Sequence, residues 1–240
     1  MLYTLYILTP ILILICLIFG IYAQTKVNTT FNQYKNLEPV NKITTQEATI
    51  KMLEYAGLTD VKIGEIKGNL TDNYNPKTKT INLSQSTRAT SSVAGIGVVA
   101  HEIGHAIQHK TGYGPLKIRN IIVPCANFGS IMFYPLFIVG LIMLFVSGTT
   151  VIGQILIWVA TGLYFLSTLF YLITLPVERN ASKRALALLQ ESGTFEIEDI
   201  APAKKVLKAA ELTYLAALLT SLVYFLRFFI YVLAITSNKD

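Results

Sequence analysis

The run IIVPCANFGSIMFYPLFIVGLIMLFV (residues 121–146), the tetrapeptide SGTT (147–150) and the run VIGQILIWVATGLYFLSTLFYLITL (151–175) decide the architecture. Neither long run contains an acidic or basic residue. Each exceeds the roughly 20 residues that a helix, rising 1.5 Å per residue, needs to cross about 30 Å of hydrocarbon. The short polar link between them forces antiparallel neighbours, so the stretch reads as a transmembrane helical hairpin. Pro124 and Pro135 are candidate kinks in its first helix, where neighbouring chain must satisfy the freed carbonyls.

Two more spans flank the hairpin, one over residues 3–23 and one over about 212–235. The first has neither the basic start nor the short apolar core of a cleaved signal peptide, so it is expected to be retained. Composition agrees: of 240 residues, 52% are hydrophobic and only 14% charged, against about 25% charged in ordinary soluble domains. The expected fold is mainly α, a polytopic membrane protein of about four transmembrane helices with a small cytoplasmic α+β element. The expected layout is a first span over 1–23, a polar α+β segment over 24–120, the hairpin over 121–175, a polar helical segment over 176–211, and a last span with its tail over 212–240.

Four spans put both termini on one side and both polar segments on the other. Of 20 Lys and Arg, twelve fall in residues 24–120 and six in residues 176–211, with none in the hairpin link. Basic residues near span ends mark the cytoplasmic side, so both polar segments are expected there. The Asn-x-Ser/Thr triplets at Asn28, Asn69, Asn82 and Asn180 then face inward and read as chance. The net charge of +6 does not indicate nucleic acid, because no basic cluster with interleaved aromatics exists and the lysines suit anionic lipid headgroups. Cys16 and Cys125 lie inside apolar runs without metal or disulfide spacing.

The polar segment before residue 92 has its own signals. Lys26 to Leu37 reads as a short helix leaving the membrane. Thr44 and Glu47 form a capping box for the next helix, whose apolar stripe is Ala48, Met52, Leu53 and Ala56 and whose end is marked by Gly57. Three strand-like runs follow, Val61–Ile66, Asn69–Tyr74 and Lys79–Leu83, the last two joined by the turn Asn75-Pro76-Lys77-Thr78. Unless Val61–Ile66 pairs with the strand 79–84, one edge of that strand is open as a template for an extended peptide.

Residues 92–109 read Ser-Val-Ala-Gly-Ile-Gly-Val-Val-Ala-His-Glu-Ile-Gly-His-Ala-Ile-Gln-His. On a helix, His101 and His105 lie one turn apart on one face, where both imidazoles can reach a single ion at about 2.0–2.1 Å. Glu102 is rotated by about 100°, wrong for a ligand and right for taking the proton of a metal-activated water. The chain has only three histidines, all within nine residues, in an otherwise apolar helix. Burying two imidazoles and a carboxylate beside Val99 and Ile103 is costly unless they bind something, and Zn2+ is the expected cofactor. His109 lies about 12 Å along the axis from His101, too far to share an ion with it on an unbroken helix. Gly104 is placed to allow close approach of a second helix.

A catalytic zinc commonly has three protein ligands. With the histidines exhausted and the cysteines in spans, Glu178 is the best third candidate, in the stretch Leu175-Pro176-Val177-Glu178-Arg179-Asn180-Ala181-Ser182. Pro176 is expected to begin a new helix and put Glu178 in its first turn. A carboxylate favoured there by the helix dipole is the competing reading. Asn180 and Ser182 are the nearest polar groups for orienting the histidines, and Arg184, Arg179 or Tyr74 could face an oxyanion, with Arg184 the first choice.

These segments together resemble the YugP-like family of bacterial membrane zinc metallopeptidases. The resemblance rests on His101–His105 with Ala106-Ile107-Gln108, on Tyr74-Asn75-Pro76-Lys77 with Ile81-Asn82-Leu83-Ser84, and on Leu175-Pro176-Val177-Glu178 with Ala181-Ser182 and Arg184-Ala185-Leu186. It covers essentially the whole chain and implies His101 and His105 as ligands, Glu102 as catalytic residue and the bacterial plasma membrane as location. A more distant resemblance links the chain to the HtpX and CAAX-prenyl-protease class, in which the ligand Glu follows a transmembrane hairpin, as Glu178 does. That class usually has Asp where this chain has Ser182, and the YugP-like family often has Phe-Asp where it has Arg179-Asn180. The implied activity is zinc-dependent endopeptidase action on peptide or membrane-protein substrates at the bilayer. A zinc-holding scaffold without turnover is the alternative, and an intact Glu102 favours the enzyme.

Overall fold

The computed structural model describes residues 2–88, 90–146 and 148–237. In chain order the elements are α1 (Leu2–Tyr34), α2 (Thr45–Tyr55), β1 (Lys62–Ile66), β2 (Asn73–Asn75), β3 (Thr80–Ser84), α3 (Gln85–Arg88) and α4 (Val93–Lys110). Three long helices complete the chain: α5 (Gly114–Phe145), α6 (Thr150–Glu191) and α7 (Ile197–Ser237). Among the described residues, α1, α5, α6 and α7 are long and apolar enough to cross a membrane. The chain is thus mainly helical, and it divides into two compact units.

The apolar unit comprises residues 1–21, 117–175 and 214–240. Its hairpin is built on close backbone approach, the usual basis of helix association where lipid removes the hydrophobic drive. A Cβ on Gly129 would stand 2.6 Å from the Leu163 carbonyl oxygen, and one on Gly153 would stand 2.7 Å from that of Gly140. Pro124 and Pro135 both lie inside α5. Phe133, 1% exposed, is ringed by Phe137, Tyr164 and Phe228 at centroid distances of 4.5–5.4 Å. Arg227, the one cation of the last span, is satisfied locally. It donates to Thr9 Oγ1 and Tyr6 OH at 3.0 and 3.2 Å and stands over the Tyr6 ring.

The polar unit comprises residues 22–116 and 176–213. Its α2 starts at the capping box read from the sequence, with Glu47 N–H on Thr44 and Thr44 N–H on the Glu47 carboxylate. Gly57, at φ +61°, ends the turn after α2 in the conformation that favours glycine. The sheet order is β1-β3-β2, with β1 parallel and β2 antiparallel to β3. Ile81 and Leu83 of β3 are fully buried while Thr80 and Asn82 are half-exposed, the alternation expected of a strand with one wet face. They join Met52, Ile96, Val99, Ile103 and Leu189 in the unit's core.

The structure corrects four expectations. The strand expected over 69–74 is reduced to Asn73–Asn75, because Gly68 and Leu70 adopt positive φ and Asp72 turns aside to accept from Ser84 N, Ser84 Oγ and Thr87 Oγ1. β3 has no open edge, because β1 pairs along it from Lys62↔Thr80 to Ile66↔Ser84. The segment Lys26–Leu37 is no separate helix: α1 runs unbroken to Tyr34, with no Gly or Pro between Gly20 and Pro39 to stop it. Pro176 begins no helix either, but lies inside α6. Interrupting the helical ladder there costs about 3 kcal/mol. Val177, Ala181, Ala185 and Leu189 bury one continuous stripe that offsets this cost.

Candidate metal centre

The centre is assembled by α4 and the polar part of α6. Ser92 caps α4 by accepting from Gly95 N–H, which fixes where the helix begins and hence which way His101 and His105 face. The helices meet at Gly104, where a Cβ would stand 2.5 Å from the Ala181 carbonyl oxygen. Only glycine admits so close a contact, and the approach sets Glu178 and Ser182 of α6 against the histidines. The close approach expected of Gly104 is therefore present. Glu178 is mid-helix, so the dipole of a helix start does not account for it.

His101 Nε2 and His105 Nε2 lie 3.1 and 3.4 Å from the same Glu178 oxygen, Oε2. One ligand atom from each of the three residues can be chosen so that all lie within 4.8 Å of one another. Two ligands on a tetrahedral ion at about 2.1 Å sit about 3.4 Å apart, so the donor set fits a small cation such as zinc. The far side of each ring is held too. His101 Nδ1 is 3.1 Å from Ser182 Oγ, and His105 Nδ1 is 3.0 Å from Gln108 Oε1. Such partners select the tautomer that leaves each Nε2 free to bind a cation. Gln108 is fully buried and donates its amide hydrogens to Val177 O and Asn180 Oδ1, at 2.8 and 3.0 Å. Asn180 Oδ1 also accepts from Arg184 Nε at 2.8 Å.

Glu102 is outside that donor group and is tied to the sheet. Its Oε2 accepts from Tyr74 N–H of β2 at 2.8 Å. Desolvation pushes its carboxyl above the usual carboxylate range, against the opposing pull of His101 and His105. At Glu178 burial also resists ionisation, but hydrogen bonds from His101 and His105 outweigh it and hold the carboxyl below the usual range. Desolvation likewise opposes the charging of His105, yet Glu178 raises its basicity overall. Burial thus acts on both carboxyls, but only Glu178 has the histidine hydrogen bonds that hold it charged.

Residues 9–233 match the family described as "Putative neutral zinc metallopeptidase". The chain is also 38% identical over 208 residues to "Putative membrane protease YugP" of Bacillus subtilis (strain 168), covering 86% of this chain and 88% of that protein. The chain belongs to this YugP-like zinc metallopeptidase family. No solved structure matches it. Family membership and the His-His-Glu cluster together make it a membrane-associated zinc metallopeptidase, and its apolar helices make it a multi-pass membrane protein.

The remaining residues singled out in the sequence sort by position. Ser182 and Asn180 are both in the network around the histidines. Arg184 reaches that network through Asn180, and its guanidinium lies 5.9 Å from the Tyr113 ring centroid. Arg179 is engaged with Glu211 in an ion pair. His109 is outside the ligand group, with Nδ1 on the Tyr74 hydroxyl at 2.8 Å. Gln108 is the residue that sequence reasoning missed as a functional group. An amide three residues after His105, on the same helix face, was its available signal.

Proposed function

We propose that this family member is a zinc endopeptidase whose ligands are His101, His105 and Glu178 and whose general base is Glu102. The observation that carries the reading is the convergence of two Nε2 atoms on one Glu178 oxygen, each ring braced at Nδ1 by a separate partner. A bound zinc would supply Lewis acidity at the scissile carbonyl and acidify a water. Glu102 receives that water's proton and delivers it to the leaving amine. A carboxylate fixed beside the cluster can serve both transfers, taking a proton and giving it back. The Tyr74 N–H keeps the carboxylate aimed while it does so. Arg184 is the proposed cation for the developing oxyanion, supported by its tie to Asn180 and by the engagement of Arg179 elsewhere.

The proposed substrates are loops or unfolded tails of membrane-associated proteins. The polar segments, which carry the small sheet and the zinc-binding helix, are proposed to lie on the cytoplasmic side of the plasma membrane, on the strength of the 18 basic residues they contain. In a chain freed of its two cysteines, a new cysteine at Thr149 should label from outside and one at Lys67 should not; the reverse would move the site across the membrane. Metal analysis of the purified protein tests the chemistry. Intact protein and Glu102→Gln should both carry zinc, with proteolysis confined to the former. Protein isolated without chelators and lacking zinc would defeat the proposal, and zinc without any turnover would leave a scaffold.

A further inference from the structure

Beside the metal centre, α4 presents a second face. Glu102, Ala106, His109 and Lys110 follow the i, i+4, i+7, i+8 spacing and look toward the sheet instead of α6. Between that face and the strands is a cleft of about 400 Å³. Leu58 and Ala106, both buried, and half-buried Val61 give it an apolar floor. Tyr74, the residue whose N–H holds Glu102, forms the wall nearest the chemistry. His109 lies four residues beyond His105, about 6 Å along the helix. The cleft is thus about one helical turn along α4 from the His-His-Glu cluster.

The polar rim is unbalanced. Two lysines, Lys79 and Lys110, face one carboxylate, Asp60, so two positive charges less one leave a net +1. Lys79 is paired with Asp60, and both are more than half exposed. Lys110 Nζ is bonded to the Ala56 and Gly57 carbonyl oxygens, which orient the ammonium without neutralising it. The Tyr74 phenol is pushed above its ordinary range by burial and by the Asp60 charge, so it stays protonated at neutral pH. It can therefore donate to His109 Nδ1, leaving His109 Nε2–H as a further donor.

We propose that this cleft is a substrate subsite for a carboxylate-bearing residue, whose methylenes lie on Leu58, Val61 and Ala106 and whose carboxylate is met by Lys110, Lys79 and His109. The carboxylate is either a Glu or Asp side chain or the end of the substrate chain. The inference rests on the peptidase reading, but its test can fail separately. The zinc-loaded Glu102→Gln protein, full length in detergent, is titrated with fluorescent peptides differing only by Glu, Gln or Lys at successive positions. A second set has free or amidated C-termini. At one position Glu should bind about fivefold or more tightly than Gln, the scale of a well-placed charge contact, and Lys more weakly than either. If the free acid set alone shows the preference, the guest is the chain terminus.

Two substitutions locate the effect. Lys79→Glu changes the rim from +1 to −1 and should invert the Glu-to-Lys order. Lys110→Gln keeps a donor for the Ala56 and Gly57 carbonyls and should collapse the Glu-to-Gln ratio toward one; the zinc content of each variant reports an intact fold. Equal binding of Glu, Gln and amidated peptides by the parent protein overturns the subsite, as does a preference that survives both substitutions. Selective binding without hydrolysis by the intact enzyme would leave the subsite standing and remove the peptidase reading. Hydrolysis of all peptides alike would do the opposite.

Discussion

The two faces of α4 are built on different principles. The face toward α6 is cross-braced: His101 rests on Ser182, His105 on Gln108, Gln108 on Asn180 and the Val177 carbonyl, and Asn180 on Arg184. The face toward the sheet carries Glu102 on the backbone N–H of Tyr74. Ligands must keep fixed separations, which a network of mutually constraining hydrogen bonds provides. A base that picks up and releases a proton needs a held direction with freedom to change charge. A main-chain donor gives this, because it cannot itself ionise.

The two faces should separate under mutation. The largest effects fall on the two acids and differ in kind. Glu178→Ala should remove zinc and with it all proteolysis, measured by metal content and peptide turnover. Glu102→Gln should keep zinc and lower kcat by about a thousandfold or more, because the hydrogen-bonding shape is retained and only proton acceptance is lost. Full zinc occupancy in Glu178→Ala would break the assignment of the ligand face. Zinc loss in Glu102→Gln would make Glu102 a ligand and erase the distinction.

Intermediate effects probe the bracing. Gln108→Leu strands the His105 Nδ1–H in a buried place and removes the tie from α4 to Asn180 and the Val177 carbonyl. It should weaken zinc by about 10- to 100-fold in a chelator competition, without touching the metal itself. A change below twofold would mean that α4 alone orients His105. Gly104→Ala presses a methyl against the Ala181 backbone, which has no side chain to rotate away. It should destabilise the polar unit by about 1–3 kcal/mol, read as a lower Tm in detergent, and loosen zinc because Glu178 and Ser182 ride on the displaced helix.

Much of this was legible in residues alone, for a physical reason. The hairpin, the paired histidines, the capping box at Thr44 and the glycine at 104 are signals whose consequence is local or enforced by the membrane. Glu178 was legible because a hairpin must return the chain to the level it left. The illegible parts depended on competition between distant terms. Pro176 looked like a break because the buried stripe Val177, Ala181, Ala185 and Leu189 that outweighs it becomes visible only against its packing partners. The parallel pairing of β1 with β3 skips over β2, a non-local choice that strand propensity does not encode. The spacing of Gln108 after His105 was visible but its role was not, because its amide faces partners 69 and 72 residues away.

The smallest expected effect gives the sharpest test of where the ligand face ends. Tyr74→Phe and His109→Ala cut the same hydrogen bond from opposite ends. Both leave the Tyr74 backbone N–H on Glu102 and the three converging donors intact. A partly exposed neutral hydrogen bond contributes about 0.5–1.5 kcal/mol, and the partner left behind can turn to water. Each single variant should therefore lose at most about 1 kcal/mol of stability, and the double variant little more than either, since the bond can be lost only once. Zinc affinity should move by less than about threefold in all three, because His109 stands eight residues from His101 on an unbroken α4, about 12 Å along its axis. Strong loss of zinc in His109→Ala but not in Tyr74→Phe would make His109 a ligand, requiring α4 to break near Gly104. Equal zinc loss in both would instead tie the strand, through its phenol, to the geometry of the metal. Unchanged zinc in both leaves the Tyr74–His109 pair to the sheet-facing side, where its work is on the substrate and not on the ion.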